Sequence, residues 1–486
     1  MKKKESLRVI VVGAGMSGIL CGIRLQQEGI GSVTIYEKGE RAGGTWRENT
    51  YPGLSCDIPS HVYSYSFERN PDWSHHFAPG PEILDYLERT AEKYGVTPLV
   101  RFGEEVTRCE YDGETWHVET RSGIRDEADI VLMASGVLHH LNFPEIDGFE
   151  DFSGEIFHSA RWNHDFDLRG KRVGIIGTGS TAVQIVGAIV DQVDHLALFQ
   201  RTAQWVMPQE NPEYSQEEKQ DFREHPEEMG RLYDELSDLF GRIFANAVID
   251  ADSEELKVIE AKCLANLEDN VRDPDLRRRL TPDYRATCKR LVISGEFYDA
   301  IQKPNAELVD AGIDRIEERG IRTKDDKLIE LDCIVFATGF NAHQFMRPMK
   351  VTGRDGKMLD EVWKRTTPAY RSVSLPGFPN FFMLIGPNSP VGNFSLIEVA
   401  ELQFNYIMQL IDHAIETDCR EIEASQAATD TFNSRLLEAT KGTIWVTGCR
   451  SWYLNADGIP AAWPWTLQRF REEMQKPNFA DFELRC

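Results

Sequence analysis

"LRVIVVGAGMSG", residues 7–18, joins an apolar run to a glycine-rich turn of the pattern Gly13-x-Gly15-x-x-Gly18. Gly13 permits a tight turn, Gly15 lets the backbone approach a pyrophosphate, and Gly18 lets a helix pack closely on the strand. The next apolar run ends at Glu37, whose carboxylate can accept hydrogen bonds from both hydroxyls of a ribose. Together these features predict a strand–turn–helix–strand unit that binds a dinucleotide.

A second turn of the same kind lies in "KRVGIIGTGSTAVQI", residues 171–185, with Gly177 and Gly179 after another apolar run. The strand that follows ends in Arg201 and Thr202, where an acid would meet a ribose hydroxyl. A guanidinium attracts a 2′-phosphate and an acid repels it, so this site favours NADPH over NADH. We therefore expect a bound flavin dinucleotide at the first turn and the hydride donor at the second.

Two later predicted strands, at 331–340 and 380–390, run into turns of small residues, and such turns indicate crossings between domains. They predict an α/β fold with two Rossmann-like (glutathione-reductase-like) dinucleotide-binding domains, one inserted in the other. The FAD-binding domain is expected to be discontinuous, made of residues 1–145 and 341–486. The NADP-binding domain is expected to comprise residues 146–340.

An acidic helical insertion is expected at residues 209–285, within the NADP-binding domain. Residues 210–270 hold 18 acidic and 6 basic side chains, and apolar residues such as Leu232, Leu236 and Phe240 recur at helical spacing. This segment can cap a substrate pocket or serve packing alone, and both interpretations remain open.

The net charge of −25 argues against nucleic acid or an anionic membrane as a partner. No run of about 18 apolar residues exists, so no membrane span is predicted. No obligatory protein partner is predicted either.

The cysteines and the first residues favour a cytoplasmic protein. Nine cysteines are scattered without a CxxC pair or a Cys/His cluster, which predicts free thiols in a reducing cytosol and no metal site. The basic lead "MKKKES" runs directly into the first strand, without the apolar stretch and cleavage site of a signal peptide.

The segment between the two turns carries the pattern F-x-G-x-x-x-H-x-x-x-W, at Phe152, Gly154, His158 and Trp162. It resembles the fingerprint of the type I (class B) Baeyer–Villiger monooxygenases, a branch of the flavin-containing monooxygenase superfamily. Asn163 stands where that family has Pro or Asp, which keeps the flavin-containing monooxygenases as an alternative. Trp162 favours the Baeyer–Villiger side, because the alternative family usually has Tyr or Phe there.

The resemblance extends over nearly the whole chain. Residues 43–67 resemble the family's flavin-cradling loop, residues 288–301 its catalytic Lys–Arg segment, and residues 451–460 its C-terminal loop with a mobile Trp. It implies an NADPH- and O₂-dependent FAD monooxygenase that inserts oxygen next to a ketone carbonyl, giving an ester or lactone. Residues 388–396 and 452–464 are expected to help shape the ketone pocket.

The resemblance also implies individual roles. Arg290 would stabilise a flavin peroxide, and Asp57 would hydrogen-bond Arg290 and hold it in place. Lys289 would join Arg201 on the 2′-phosphate. Trp452 would fold over the nicotinamide and donate from its indole to the ribose.

The motifs and the resemblance together give two sets of cofactor-binding residues. The expected FAD-binding residues are Gly13, Gly15, Ser17, Gly18, Glu37, Lys38, Gly44, Thr45, Trp46, Asp57, Ile58, Tyr63 and Val106. The expected NADP-binding residues are Tyr51, Gly177, Thr178, Gly179, Ser180, Thr181, Arg201, Thr202, Lys289, Arg290 and Trp452. His158 and Trp162 are expected at the domain seam, where they set how the two nucleotides move together; a satisfied core histidine is the alternative for His158.

Three other functions remain as alternatives. A flavin-containing monooxygenase would oxidise the nitrogen or sulfur of soft nucleophiles. A disulfide reductase would need a redox-active cysteine pair beside the flavin, and Cys56 stands without a partner at such spacing. A flavin-binding sensor would have no use for the second nucleotide turn.

Overall fold

A computed structural model describes residues 2–392, 394–455 and 457–486. Asn393 and Ala456, which fall in the loops expected to shape the ketone pocket, lie outside the described residues. The strands, in chain order, are β1 (Arg8–Val12), β2 (Ser32–Tyr36), β3 (Val100–Arg101), β4 (Val106–Tyr111), β5 (Trp116–Thr120), β6 (Arg125–Ala128), β7 (Ile130–Met133), β8 (Glu155–His158), β9 (Arg172–Ile176), β10 (His195–Phe199), β11 (Val206–Met207), β12 (Val292–Ile293), β13 (Ala306–Val309), β14 (Ile313–Glu317), β15 (Gly320–Thr323), β16 (Leu328–Glu330), β17 (Cys333–Phe336), β18 (Lys350–Thr352), β19 (Phe381–Met383), β20 (Glu421–Ala424) and β21 (Phe482–Arg485).

The α-helices alternate with these strands in both halves of the chain. In chain order they are α1 (Met16–Gln27), α2 (Thr45–Glu48), α3 (Gly80–Lys93), α4 (Ser180–Ile189), α5 (Gln216–Glu224), α6 (Pro226–Ile249), α7 (Glu254–Asn270), α8 (Pro274–Leu280), α9 (Phe297–Ile301), α10 (Leu359–Val362), α11 (Leu396–Glu416), α12 (Gln426–Thr440) and α13 (Leu467–Gln475). Within the described part of the chain, none of them combines the length and apolar character that crossing a bilayer requires.

The first large sheet has the strand order β19-β7-β1-β2-β3, and all its neighbouring strands are parallel. Val9, Ile10 and Val11 of β1 are all buried. Such a continuous apolar run fits a parallel strand that is covered on both faces. β19 comes from the far end of the chain, so this sheet is built from two separate parts of the sequence.

The second large sheet has the order β13-β10-β9-β17-β8 and is also parallel throughout. All its strands lie in sequence between β7 and β19, so the second unit is inserted in the first. The predicted α/β fold with two Rossmann-like units, one inside the other, is confirmed. Four smaller sheets complete the described strands: β18-β4-β5-β6, β14-β15-β16, β20-β21 and β11-β12.

The helices α5 to α8 form the predicted helical insertion. The chain leaves after β11 and returns at β12, and these two strands pair in parallel with Val206 opposite Val292. At its other side, α6 is tied to α11 and α13: Glu398 accepts hydrogen bonds from Ser237 Oγ at 2.7 Å and from Arg471 Nε at 2.6 Å. The insertion therefore spans from the second unit to the first.

The cysteines differ from the sequence expectation. Cys21, Cys56, Cys109, Cys263 and Cys333 are free and buried, but Cys288 pairs with Cys449 and Cys419 with Cys486. The prediction of free thiols throughout is wrong, because both pairs join cysteines that are distant in sequence and meet only in the fold. The cysteines therefore no longer support a cytoplasmic location, and that location stays a prediction.

Candidate active site

The first glycine turn forms a narrow backbone cradle at the start of α1. Gly13 has a φ of +104°, and a Cβ added to Gly18 would lie 1.8 Å from the Gly13 carbonyl oxygen. A Cβ added to Gly44 would lie 2.9 Å from the Cα of Gly15, so the two backbones approach closely. Exposed backbone N–H groups at a helix start suit a pyrophosphate, and this cradle has room for one only because side chains are missing.

Glu37 is fixed at the end of β2, where the sequence predicts a ribose contact. Its side chain is 4% exposed and accepts hydrogen bonds from Ala14 N at 2.8 Å, Gly39 N at 2.7 Å and Arg47 Nη1 at 2.9 Å. The carboxylate is therefore held against the glycine turn. Arg47 was not predicted; its only sequence signal is its place in the loop of residues 43–67.

Some of the other predicted FAD-binding residues contact one another or lie in α2 and the loop around it. Trp46 Nε1 donates to Tyr63 Oη at 3.1 Å, and the two rings pack edge to face. Lys38 lies 3.7 Å from Glu48, and Thr45 begins α2. Four of the set are buried: Ser17, Ile58, Tyr63 and Val106.

The second turn repeats this geometry beside α4. Gly177 has a φ of +122°, and a Cβ there would lie 2.3 Å from the Ala337 carbonyl oxygen. A Cβ added to Gly179 would meet no atom within 4 Å. The space in front of the α4 N-terminus is therefore open, as a pyrophosphate site requires.

Polar groups near this turn make contacts within the second unit and one contact with the first. Thr178 Oγ1 donates to the Thr202 carbonyl at 2.9 Å, and Ser180 and Thr181 are the first residues of α4. Tyr51, from the first unit, donates to Gln184 of α4 at 2.8 Å.

Arg201 and Lys289 form a cationic pair at the end of β10. The Lys289 ammonium sits 4.5 Å from the centre of the Tyr284 ring. Burial, and then the charge of Arg201, lower the pKa of Lys289. Neither residue forms a salt bridge with any carboxylate that the structure describes. Two adjacent unpaired cations in so acidic a chain suit an anionic ligand group such as a 2′-phosphate.

Arg290 is held by the predicted partner Asp57. Its Nε lies 3.1 Å from Asp57 Oδ2, and its Nη2 lies 2.6 and 2.7 Å from the two carboxylate oxygens. Its Nη1 donates to the Gly392 carbonyl. Burial lowers the pKa of Arg290, but the Asp57 charge and hydrogen bonds, together with Tyr453 and Cys56, outweigh this and raise the pKa above its ordinary value. The guanidinium is therefore a permanent and oriented cation.

The backbone on both sides of Arg290 is tightly constrained. Thr287 has a φ of 61°, a strained conformation for a β-branched residue, and its Oγ1 donates to the Ala247 carbonyl at 3.2 Å. After Arg290, Val292 N donates to the Trp205 carbonyl at 3.2 Å as β12 begins. Strain of this kind concentrates at functional sites.

Trp452 lies in a loop that is anchored near Arg290. It is half-buried, and its ring centroid lies 4.3 Å from that of Tyr453. His343 Nε2 lies 2.7 Å from the Trp452 carbonyl and 3.1 Å from the Leu454 carbonyl. Burial lowers the pKa of His343, so it anchors the loop as a neutral ring. No pattern in the sequence indicates His343.

His158 lies where the chain passes between the two units. The Ala160 N–H donates to its Nδ1 at 3.1 Å, so its proton is on Nε2, which lies 3.1 Å from the Gly339 carbonyl. Asn142 N donates to the same carbonyl at 3.0 Å. Burial lowers the pKa of His158 and keeps it neutral. His158, on the part of the chain that enters the second unit, thus contacts Gly339, on the part that leaves it.

The other fingerprint residues pack around this seam. A Cβ added to Gly154 would lie 2.4 Å from the Asp332 carbonyl oxygen, so the backbones just before β8 and β17 approach each other closely. Trp162 packs edge to face on Phe157 at 5.0 Å, and Phe152 is partly buried in the core of the second unit.

Several known proteins are similar to this chain over most of its length. A model of the pyridine nucleotide-disulphide oxidoreductase family matches residues 10–229. An uncharacterized monooxygenase of Mycobacterium tuberculosis is 48% identical, over 98% of this chain and 96% of that protein. A Baeyer-Villiger monooxygenase of Streptomyces coelicolor is 39% identical, over 99% of this chain and 93% of that protein. The chain belongs to the Baeyer–Villiger monooxygenase family.

Solved structures match this monooxygenase over its full length. The crystal structure of cyclohexanone monooxygenase from a Rhodococcus species bound to NADP⁺ is similar with a TM-score of 0.88, at 28% identity over 99% of both chains. OTEMO in complex with FAD and NADP is similar with a TM-score of 0.89, at 27% identity over 99% of this chain and 100% of that one. The protein is therefore an enzyme of the monooxygenase class, as the fingerprint predicted.

Proposed function

We propose that this monooxygenase inserts one oxygen atom of O₂ next to the carbonyl carbon of a ketone, giving an ester or a lactone, and that Arg290 stabilises the negative charge of the reacting oxygen. The cofactors are FAD and NADPH. FAD, when bound, supplies the redox chemistry: it takes hydride from NADPH and activates O₂.

The Arg290–Asp57 pair carries this proposal. Attack on a carbonyl carbon by an anionic oxygen nucleophile moves negative charge from that oxygen to the carbonyl oxygen. A guanidinium held by a bidentate carboxylate stabilises that charge without having to reorganise during the reaction. Oxidation of a sulfide or amine needs a protonated, electrophilic oxygen donor instead, and a neighbouring cation favours the deprotonated form. The pair therefore supports ketone oxidation over oxidation of soft nucleophiles.

The two cofactors would be held by different units. We assign FAD to a discontinuous domain of residues 1–145 and 341–486, and NADPH to residues 146–340, which include the insertion at 209–285. The two large sheets divide along these lines.

Individual residues would hold each cofactor in a chemically distinct way. Gly15 and Gly44 would receive the FAD pyrophosphate at the N-terminus of α1, with Glu37 on the ribose. Arg201 and Lys289 would hold the 2′-phosphate of NADPH, because they are adjacent cations without salt bridges among the described residues.

Two aromatic side chains would control water and domain movement. Trp452 and Tyr453 lie in the same loop, and Tyr453 is close to Arg290. Closure of this loop would therefore exclude water from the guanidinium. His158 would transmit the relative movement of the two units, because it shares the Gly339 carbonyl with Asn142 of the other unit.

Product analysis tests the proposal. The purified holoenzyme is incubated with NADPH, ¹⁸O₂ and a panel of linear, cyclic and aryl ketones plus a methyl aryl sulfide. We expect an ester or lactone that carries one ¹⁸O atom from at least one ketone. Formation of the sulfoxide with no ester from any ketone would overturn the proposal and favour oxidation of soft nucleophiles.

A further inference from the structure

A third group, the phenol of Tyr453, lies against the Arg290 guanidinium. Tyr453 is 4% exposed, and its ring centroid lies 4.3 Å from that of Trp452 and 5.4 Å from that of Trp445. Its backbone carbonyl accepts a hydrogen bond from Ala461 N at 2.8 Å. Both the ring and the backbone of Tyr453 are therefore fixed by the loop that contains it.

Gly392 makes room for this phenol beside Arg290. Its carbonyl accepts from Arg290 Nη1, and a Cβ added to Gly392 would lie 2.9 Å from Tyr453 Oη. The phenol is close enough to Arg290 for the guanidinium charge to oppose the rise in the pKa of Tyr453 that burial causes. A side chain at position 392 would push the phenol away, so the three groups form one contiguous cluster.

The direction of the hydrogen bonds follows from the chemistry of the two groups. A guanidinium has only N–H donors, so Arg290 cannot accept the proton of the neighbouring Tyr453 hydroxyl, and that proton remains to be donated. No residue that the structure describes accepts a hydrogen bond from Tyr453 Oη. Burial raises the pKa of Tyr453, so the hydroxyl stays protonated at neutral pH. A buried hydroxyl with a proton to donate needs an acceptor.

We propose that Tyr453 is a catalytic residue whose hydroxyl, beside Arg290, donates a hydrogen bond to the carbonyl oxygen of the bound ketone. This inference rests on the proposed function, because it needs a ketone in the site. The hydrogen bond polarises the carbonyl and stabilises the charge that grows on its oxygen during attack. The positive charge of Arg290 makes the phenol a better donor, because it favours negative charge on the phenol oxygen. The proton stays on Tyr453 throughout, so no covalent bond to it forms or breaks.

The test is Tyr453→Phe in the holoenzyme, which removes the hydroxyl and keeps the ring. Tyr298→Phe is the matched control, because Tyr298 is also buried but belongs to the core of the second unit. The kcat is measured with several ketones that the wild type converts, graded by the basicity of their carbonyl oxygen, and with a methyl aryl sulfide. The binding constant of NADP⁺ and the rate of NADPH oxidation without substrate report on the integrity of the site.

We expect the ketone kcat of Tyr453→Phe to fall by about 10²–10³, as loss of one such donor does elsewhere. The loss should grow with the basicity of the carbonyl oxygen, while sulfide oxidation, NADP⁺ binding and the Tyr298→Phe control stay near wild-type values. A loss that is equal for all ketones and for the sulfide, or no loss at all, would overturn the inference. A wild-type enzyme that converts no ketone would instead overturn the proposed function.

Discussion

Three basic side chains define the charge of the site, and they are held in two different ways. Arg290 is fixed by the Asp57 carboxylate and the Gly392 carbonyl. Arg201 and Lys289 are adjacent but form no salt bridge with the described carboxylates. The first cation is thus oriented before any ligand arrives, whereas the other two are available to bind one.

We predict that Arg201→Ala and Lys289→Ala each raise the KM for NADPH by about 10- to 100-fold, because a hydrogen bond to a charged group contributes about 1.5–3 kcal/mol. The KM for NADH and the kcat should change little. Steady-state kinetics with both nucleotides measure this, with Arg169→Ala as control, since Arg169 is exposed and pairs with Asp167. An equal rise in both KM values would contradict a 2′-phosphate site.

The sequence reveals some of these residues and not others. Arg201 could be predicted because the second glycine turn fixes which strand ends at the ribose. Arg290 needed the family resemblance, since a Lys–Arg pair is common. Tyr453 and His343 could not be found, because they reach the site only when the loop that contains Tyr453 folds back on distant parts of the chain.

Among the elements, α11 carries a buried carboxyl group that has no part in the proposed chemistry. Glu401 is 8% exposed, and Ser66 donates to its Oε1 from both N, at 3.1 Å, and Oγ, at 3.0 Å. Burial raises its pKa from 4.5 to about 7, although the Ser66 hydrogen bonds and Arg24 oppose this and Glu398 adds to it.

We predict that Glu401→Gln stabilises the protein at pH 8 by about 1–3 kcal/mol and has no such effect at pH 4.5. The folded state holds this proton more tightly than the unfolded state, so stability is lost as the pH rises through about 7. The amide oxygen of Gln can still accept both Ser66 hydrogen bonds. Thermal unfolding between pH 4.5 and 8 measures the difference, with Glu416→Gln at the exposed end of α11 as control. If the stability difference between Glu401→Gln and the wild type does not grow as the pH rises, that would contradict the burial of a charge at Glu401.

A disulfide links the catalytic segment to the C-terminal loop. Cys288 immediately precedes Lys289 and Arg290, and its partner Cys449 lies three residues before Trp452. This covalent bond keeps Trp452 and Tyr453 close to the guanidinium.

We predict that Cys449→Ser lowers the free energy of unfolding by about 2–4 kcal/mol and raises the share of NADPH that is oxidised to hydrogen peroxide without product. A freer loop excludes water less well. Peroxide and product are assayed side by side, with Cys419→Ser as control, because Cys419 pairs with Cys486 beside β20 and β21. The control should lose stability and keep its coupling; equal peroxide release from both variants would contradict the role of the loop.

At the scale of the whole molecule, the two units are joined where the chain crosses from one to the other. His158 and Asn142, which belong to different units, share the Gly339 carbonyl. Movement of one unit against the other therefore acts on the residues of the fingerprint.

We predict that His158→Ala slows NADPH oxidation about tenfold and leaves the KM for the ketone unchanged, because the residue affects domain movement and not substrate contacts. Stopped-flow reduction of the bound flavin measures the hydride step. His225→Ala, at an exposed histidine of the helical insertion, is the control. If His158→Ala leaves flavin reduction and the coupling of NADPH oxidation to product unchanged, His158 is a core histidine without a role in domain movement.

The whole-molecule architecture was the most predictable level. The two glycine turns and the strand ends at 331–340 and 380–390 indicate one unit inside another, since each turn requires its own parallel sheet. The docking of α6 on α11 through Glu398 and Ser237 was not predictable, because an acidic amphipathic helix has no sequence signal for its partner. The disulfides were missed for the same reason.

The most direct test of the account is the effect of Arg290→Ala on ketone and sulfide oxidation by the same holoenzyme. Arg285→Ala serves as the matched control, because that arginine lies shortly before the catalytic segment and pairs with Glu260. We predict that the ketone kcat of Arg290→Ala falls by about 10²–10³, while sulfide oxidation and the control keep their activity. Ketone oxidation at the full wild-type rate in Arg290→Ala would contradict the account.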